Sequence, residues 1–149
     1  MKTFLFKPNV ANYLVGLASC LVLATAYAFE YLANLQPCVL CVYQRIPYTV
    51  AIGLMLVAAI LRKNSQFNLI LFIAASVVFA IGSAIAIFHI GIEQHLWQGT
   101  PECGNFMKTD SVEALRKQLL AQPIVRCDEV AWSLFGISMA GYNFLISTL

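Results

Sequence analysis

LILFIAASVVFAIGSAIAIFH, residues 69–89, carries no charged side chain before its terminal histidine. At about 1.5 Å of rise per residue, a helix of this length covers the roughly 30 Å hydrocarbon core of a bilayer. A backbone surrounded by lipid must satisfy its own hydrogen bonds, so a stretch this apolar is expected to be helical. Three more runs read the same way: about 10–32, 43–61 and 130–149, with the quoted run extended to 68–89. The chain of 149 residues is 60% hydrophobic and 11% charged, far from the roughly half and quarter of soluble domains. The expected fold is all-α: an integral membrane four-helix transmembrane bundle forming one domain over 1–149, with loops at about 33–42 and 90–129.

Lys2 and Lys7, with small residues at Ala24, Ala26 and Ala28, resemble a signal peptide, but the apolar run is long for one, so it is read as a retained anchor. Lys2, Lys7, Arg62 and Lys63 place +4 on one side, whereas the segment from Gly91 to Glu129 sums to −2. Positive residues flanking spans stay inside, which predicts cytoplasmic termini and two external loops. In the longer loop, Asp110 with Glu113 reads as a helix start. Val112, Leu115 and Leu119 share a face before Pro123, so a short amphipathic surface helix is expected there.

Four of the five cysteines then fall on the external side: Cys38 and Cys41 in the short loop, Cys103 and Cys127 in the long one. In an oxidising compartment such as the periplasm these can form disulfides. Four thiols allow three connectivities; proximity favours Cys38 with Cys41, which leaves Cys103 with Cys127. Two structural staples, or a zinc site from the four thiols, are the plainer alternatives. A two-residue-spaced pair is a poor staple, however, and the second pair lacks the short spacing of common zinc modules. No metal is expected. Cys20, inside the first span, reads as packing.

Arg45 stands at the start of the second span, on the side that should be poor in arginine, directly after Gln44. A cation at a helix N-terminus lowers the pKa of a nearby thiol and stabilises anions. The alternative is an arginine that snorkels and pairs with Glu30. His89 ends the third span at the same depth and is a candidate hydrogen-bond or proton carrier. A haem needs facing axial ligands, and the other spans contain no histidine.

Pro37-Cys38-Val39-Leu40-Cys41-Val42-Tyr43-Gln44-Arg45, with Cys103 and Cys127 in a second loop, resembles the DsbB family of bacterial disulfide-forming membrane proteins, as do Phe88-His89 with Glu93 and the stretch from Cys127 to Ser138. The resemblance covers almost the whole chain. It implies a protein-disulfide oxidoreductase of the inner membrane that reoxidises a DsbA-like thioredoxin-fold protein and reduces ubiquinone or menaquinone. It assigns disulfides Cys38–Cys41 and Cys103–Cys127, partner attack at Cys103, a quinone contact for Cys41, a resolving role for Cys38 and anion stabilisation for Arg45, with Gln44 and His89 near the quinone. The partner is expected to dock at Pro101-Glu102-Cys103-Gly104. Membrane lipid is implied as a surrounding and nucleic acid is not. Unlike some family members, the chain has almost nothing after its fourth span. A vitamin-K-epoxide-reductase-like enzyme and a non-enzymatic disulfide-stapled scaffold are the alternatives. Gln44-Arg45 and the position of the second cysteine pair favour the first reading over the reductase.

Overall fold

A computed structural model describes residues 8–61, 64–103, 111–113, 116 and 125–149. Helix α1 spans Pro8–Leu32, α2 Val39–Ile60 and α3 Ser65–Glu93. A two-stranded hairpin follows, β1 Ser133–Leu134 and β2 Ile137–Ser138, and leads into α4, Met139–Thr148. The first three helices are long and apolar enough to cross a membrane, with mean hydropathies of 1.6, 1.4 and 2.6 over an 18-residue stretch of each. Their outward faces leave large apolar side chains such as Leu17, Ile60 and Ile73 exposed, a surface suited to lipid rather than to water.

Local chemistry sets the helix starts. Cys38 caps α2, its sulfur accepting the Cys41 N–H; Asn64 caps α3 and Ser138 caps α4 in the same way. Pro47 lies inside α2, where it lacks an N–H for the ladder. Pro47 also packs where α3 comes closest, since a Cβ added at Gly82 would lie 2.8 Å from its ring. At the end of the bundle away from Cys38, Asn12 donates to the Asn68 carbonyl at 3.0 Å, joining α1 to α3.

A fourth span is not confirmed. Of residues 130–149 only Met139–Thr148 is helical, and ten residues cover about 15 Å. The preceding stretch is a hairpin because Phe135 and Gly136 both take positive φ, the two-residue turn that suits the twist of paired strands. Gly136 tolerates that conformation at no steric cost, and Phe135 points outward, 91% exposed. The second helix begins at Val39 rather than near residue 43, and the third runs on past His89 to Glu93. The surface helix expected around 110–123 falls largely outside the described residues, as do the four basic residues of the +4 side.

Candidate functional site

Cys38, Leu40, Ile92, Cys103 and Cys127 form one buried cluster, with Cys41, Ile85 and Val125 packed against it. Two segments separated by more than fifty residues of chain thus bring Cys38, Cys41, Cys103 and Cys127 together. Cys103 and Cys127 are joined as a disulfide across a sequence separation of 24. The turn ending in Cys103 is tied to α2 by Tyr43, whose hydroxyl donates to Glu102 at 3.2 Å. Arg126 forks onto Asp128 on either side of Cys127 and holds that carboxyl below its ordinary range.

Cys38 and Cys41 differ from the disulfide expected of them: they are two thiols with sulfurs 3.0 Å apart. The helix start explains the spacing, because the Cys38 sulfur caps α2 and takes the Cys41 N–H at 3.3 Å. The Cys38 thiol is held well below its usual value, down to about 4. The hydrogen bond with Cys41 is the main cause; burial opposes it, and His89 adds to it.

His89 is buried, with Nε2 3.6 Å from the Cys38 sulfur and 3.9 Å from Glu93, and Nδ1 3.0 Å from Gln44 Nε2. The backbone of Cys127 also lies beside the ring, so His89 neighbours both cysteine pairs. Glu93 accepts in turn from the hydroxyl of Ser138. The ligand atoms of Cys38, Cys41 and His89 lie within 4.8 Å of one another, close enough for a soft metal ion to bridge. Arg45 pairs with Glu30 and lies 4.9 Å over the Tyr27 ring, so the snorkelling alternative contributes a real contact.

A cavity of about 420 Å³ adjoins these groups, its walls mostly apolar and its polar end formed by Cys38, Cys41, Arg45, His89 and Glu93. It lies between α1, represented by Leu21, Val22 and Phe29, and α4, represented by Tyr142 and Ile146. Trp132 lines it too and makes ring contacts to Phe29 at 5.1 Å and Tyr142 at 6.3 Å.

The structure brings Cys38, Cys41, Gln44, Arg45 and His89 to one cavity and places the Cys103–Cys127 disulfide against Cys38. Cys20 lies apart, on the exposed face of α1. Sequence reasoning missed Asn143, Tyr48, Glu93 and Ser138 as site groups. The available signal was a polar residue at position 143 within an apolar run and an acid one turn beyond His89.

The chain is similar to an uncharacterised protein of Rickettsia prowazekii, 31% identical over 142 residues that make up 93% of this chain and 81% of that protein. Disulfide bond formation protein B of Haemophilus influenzae is 31% identical over 92% of this chain and 78% of its own length. Its namesake in Nitrosococcus oceani is 29% identical over 89% and 81%. No solved structure matches. Residues 8–149 match the family described as disulfide bond formation protein DsbB, so this chain, with its paired cysteines gathered beside membrane-length helices, belongs to the DsbB family of membrane disulfide oxidases.

Proposed function

We propose that this oxidase takes electrons from a periplasmic DsbA-like thioredoxin-fold dithiol protein and delivers them to ubiquinone or menaquinone. A thiolate of the reduced partner attacks Cys103, releasing Cys127; its second thiol then displaces Cys103, leaving the partner oxidised and Cys103 and Cys127 as thiols. Exchange with an oxidised Cys38–Cys41 pair restores the loop disulfide and moves the electron pair inward. The observation that carries this reading is the single buried cluster holding Cys38 beside the Cys103–Cys127 disulfide, with the cavity on its other side.

The cavity fits a quinone ring: about 420 Å³ falls within the usual range of ligand pockets, with apolar walls and a few convergent polar groups. Its position between α1 and α4 suits an apolar tail reaching in from lipid. A bound quinone supplies the acceptor for two electrons and two protons. Cys38 and Cys41 would hold the ring through sulfur, Arg45 would supply positive charge, and His89 with Glu93 would hold or pass protons. The resemblance gives the ring contact to Cys41, whereas the capping and hydrogen bonds stabilise thiolate on Cys38; this division of labour is part of the proposal.

The orientation belongs to the same reading: inner membrane, both termini cytoplasmic, cysteine loops periplasmic. A purified protein mixed with a reduced thioredoxin-fold dithiol protein and a short-tailed quinone should form quinol in proportion to partner oxidised. No quinol with both pairs intact would leave only a stapled scaffold. Partner docking is placed at Pro101–Cys103 and Gly104; a Cys103→Ala chain that still trapped the partner covalently would contradict it.

A further inference from the structure

A neutral imidazole carries one proton on one of two nitrogens, and the partner of each nitrogen decides which. His89 receives that decision from α4 through a chain of hydrogen-bonded side chains, buried at Tyr48 and Gln44 and half-buried at Asn143. The Tyr48 hydroxyl donates to Oδ1 of Asn143, and the Ser147 hydroxyl reaches the same oxygen at 3.5 Å. With its oxygen engaged, Asn143 turns Nδ2 to Oε1 of Gln44 at 2.8 Å. Gln44, its own oxygen now occupied, turns Nε2 to Nδ1 of His89 at 3.0 Å. An amide NH₂ can only donate, so Nδ1 must offer its lone pair. The ring proton then sits on Nε2, which faces the Cys38 sulfur at 3.6 Å.

We propose that Asn143 and Gln44 are positioning residues that lock His89 in its Nε2–H form, so that a neutral N–H is aimed at the Cys38 sulfur and favours its thiolate. The proposal rests on the reading of Cys38 and Cys41 as the redox pair beside the cavity. It gives the short α4 helix a task beyond packing, since Asn143 reaches the cysteines only through Gln44 and His89. The same tautomer leaves Nε2 without a free lone pair, which directs the trio of Cys38, Cys41 and His89 toward sulfur chemistry rather than metal ligation. Reversing every amide in the chain would instead make Nε2 an acceptor for a protonated Cys38. The ionisable groups around this contact are Cys41 on α2, Glu93 on α3 and, along the cavity, Arg45 paired with Glu30 on α1, with Arg126 and Glu129 from the segment around Cys127.

Nitrogen NMR of ¹⁵N-histidine in the reduced, full-length protein reads the tautomer directly, with His95→Asn assigning the second histidine. The expected result is a protonated Nε2 and a bare Nδ1 for His89 in the wild type. In Asn143→Leu the Gln44 amide is released, the two ring signals move toward a tautomer average, and the midpoint for Cys38 alkylation rises by about one pH unit, a tenfold loss of thiolate below it. Gln44→Met should reproduce both changes if Asn143→Leu does not fold. A wild-type proton on Nδ1, or an unchanged His89 tautomer in the folded variants, overturns the proposal. Failure of quinone reduction would sink the proposed electron acceptor while leaving these spectra as expected, so the two failures are separable.

Discussion

The carboxylate of Glu30 on α1 is paired with the guanidinium of Arg45 on α2, with each side chain 17% exposed, at the wall of the cavity that reaches Cys38 and Cys41. An arginine at the edge of an apolar cavity is held there by a counter-charge and by the face of Tyr27. Its remaining N–H groups can still serve a ligand anion, because a guanidinium carries five. Arg45→Met should raise the apparent KM for a short-tailed quinone by about tenfold, equivalent to about 1.4 kcal/mol. Glu30→Gln should leave the cation unpaired and lower stability by about 2 kcal/mol, between the values for surface and buried pairs. Steady-state kinetics and thermal unfolding in detergent check the two outcomes; unchanged quinone kinetics would leave Arg45 with only its structural contacts.

Replacing Cys38 or Cys41 with Ser should abolish partner-dependent quinol formation, since either change breaks the inner pair. Cys20→Ala should keep nearly full turnover, because Cys20 lies on the exposed face of α1, away from the cavity. A quinol assay on the three variants distinguishes a relay through Cys38 and Cys41 from chemistry at any accessible thiol.

The depressed Cys38 pKa has a defined consequence for pH. A thiol held below its ordinary value adds stability to the reduced protein that is complete above about 9, declines as pH falls, and is gone below about 4. Alkylation of Cys38 by a small reagent should therefore remain fast at pH 6–7, where an ordinary thiol has slowed at least tenfold. His89→Ala should shift that profile upward, because it removes a hydrogen bond to the sulfur. Mass spectrometry of quenched samples gives the rates, and a Cys38 profile centred near the ordinary thiol value would refute the thiolate assignment.

Cys103→Ser with Cys127→Ser should lower thermal stability by about 3.5 kcal/mol, the chain-entropy value for a loop of 24 residues. It should also abolish oxidation of the protein partner while leaving reduction of quinone by a small membrane-permeable dithiol measurable. Loss of both reactions together would mean that the outer pair supports the inner site structurally.

Gly91 lies under Trp97, and a Cβ there would come within 1.9 Å of the indole. Trp97 stacks on Phe88 and donates its N–H to the Phe88 carbonyl at 2.9 Å, folding the start of the long loop back onto α3. Gly91→Ala should displace the indole at a cost of about 1–3 kcal/mol. Reduced tryptophan fluorescence anisotropy and a lowered melting temperature are the expected signs.

Much of this site was legible in the chain. Cys38, Cys41, Gln44 and Arg45 are close in sequence and lie within the start of one helix, so their shared location follows from helical geometry. His89 was legible because an ionisable side chain in an apolar run is costly unless it has partners. Asn143 and Tyr48 were obscure because single polar residues in membrane helices usually bond within their own helix, and only contact between helices shows that these two meet. Where the fourth helix begins was not legible because hydropathy averages over Phe135 and Gly136, whereas a positive-φ turn depends on those two residues alone.

By itself, the sequence determined that the first three helices are of membrane length and that Cys38, Cys41, Cys103 and Cys127 lie in segments between apolar runs, all properties of composition and spacing along a single chain. Only the tertiary structure decided that Cys38 lies against Cys103 and Cys127, that Arg45 is held by Glu30, and that Asn143 on α4 reaches His89 through Gln44. Those contacts join residues as many as 99 positions apart. They depend on which helix faces meet and how deep each side chain sits, and that is settled by packing around the cavity rather than by any local pattern.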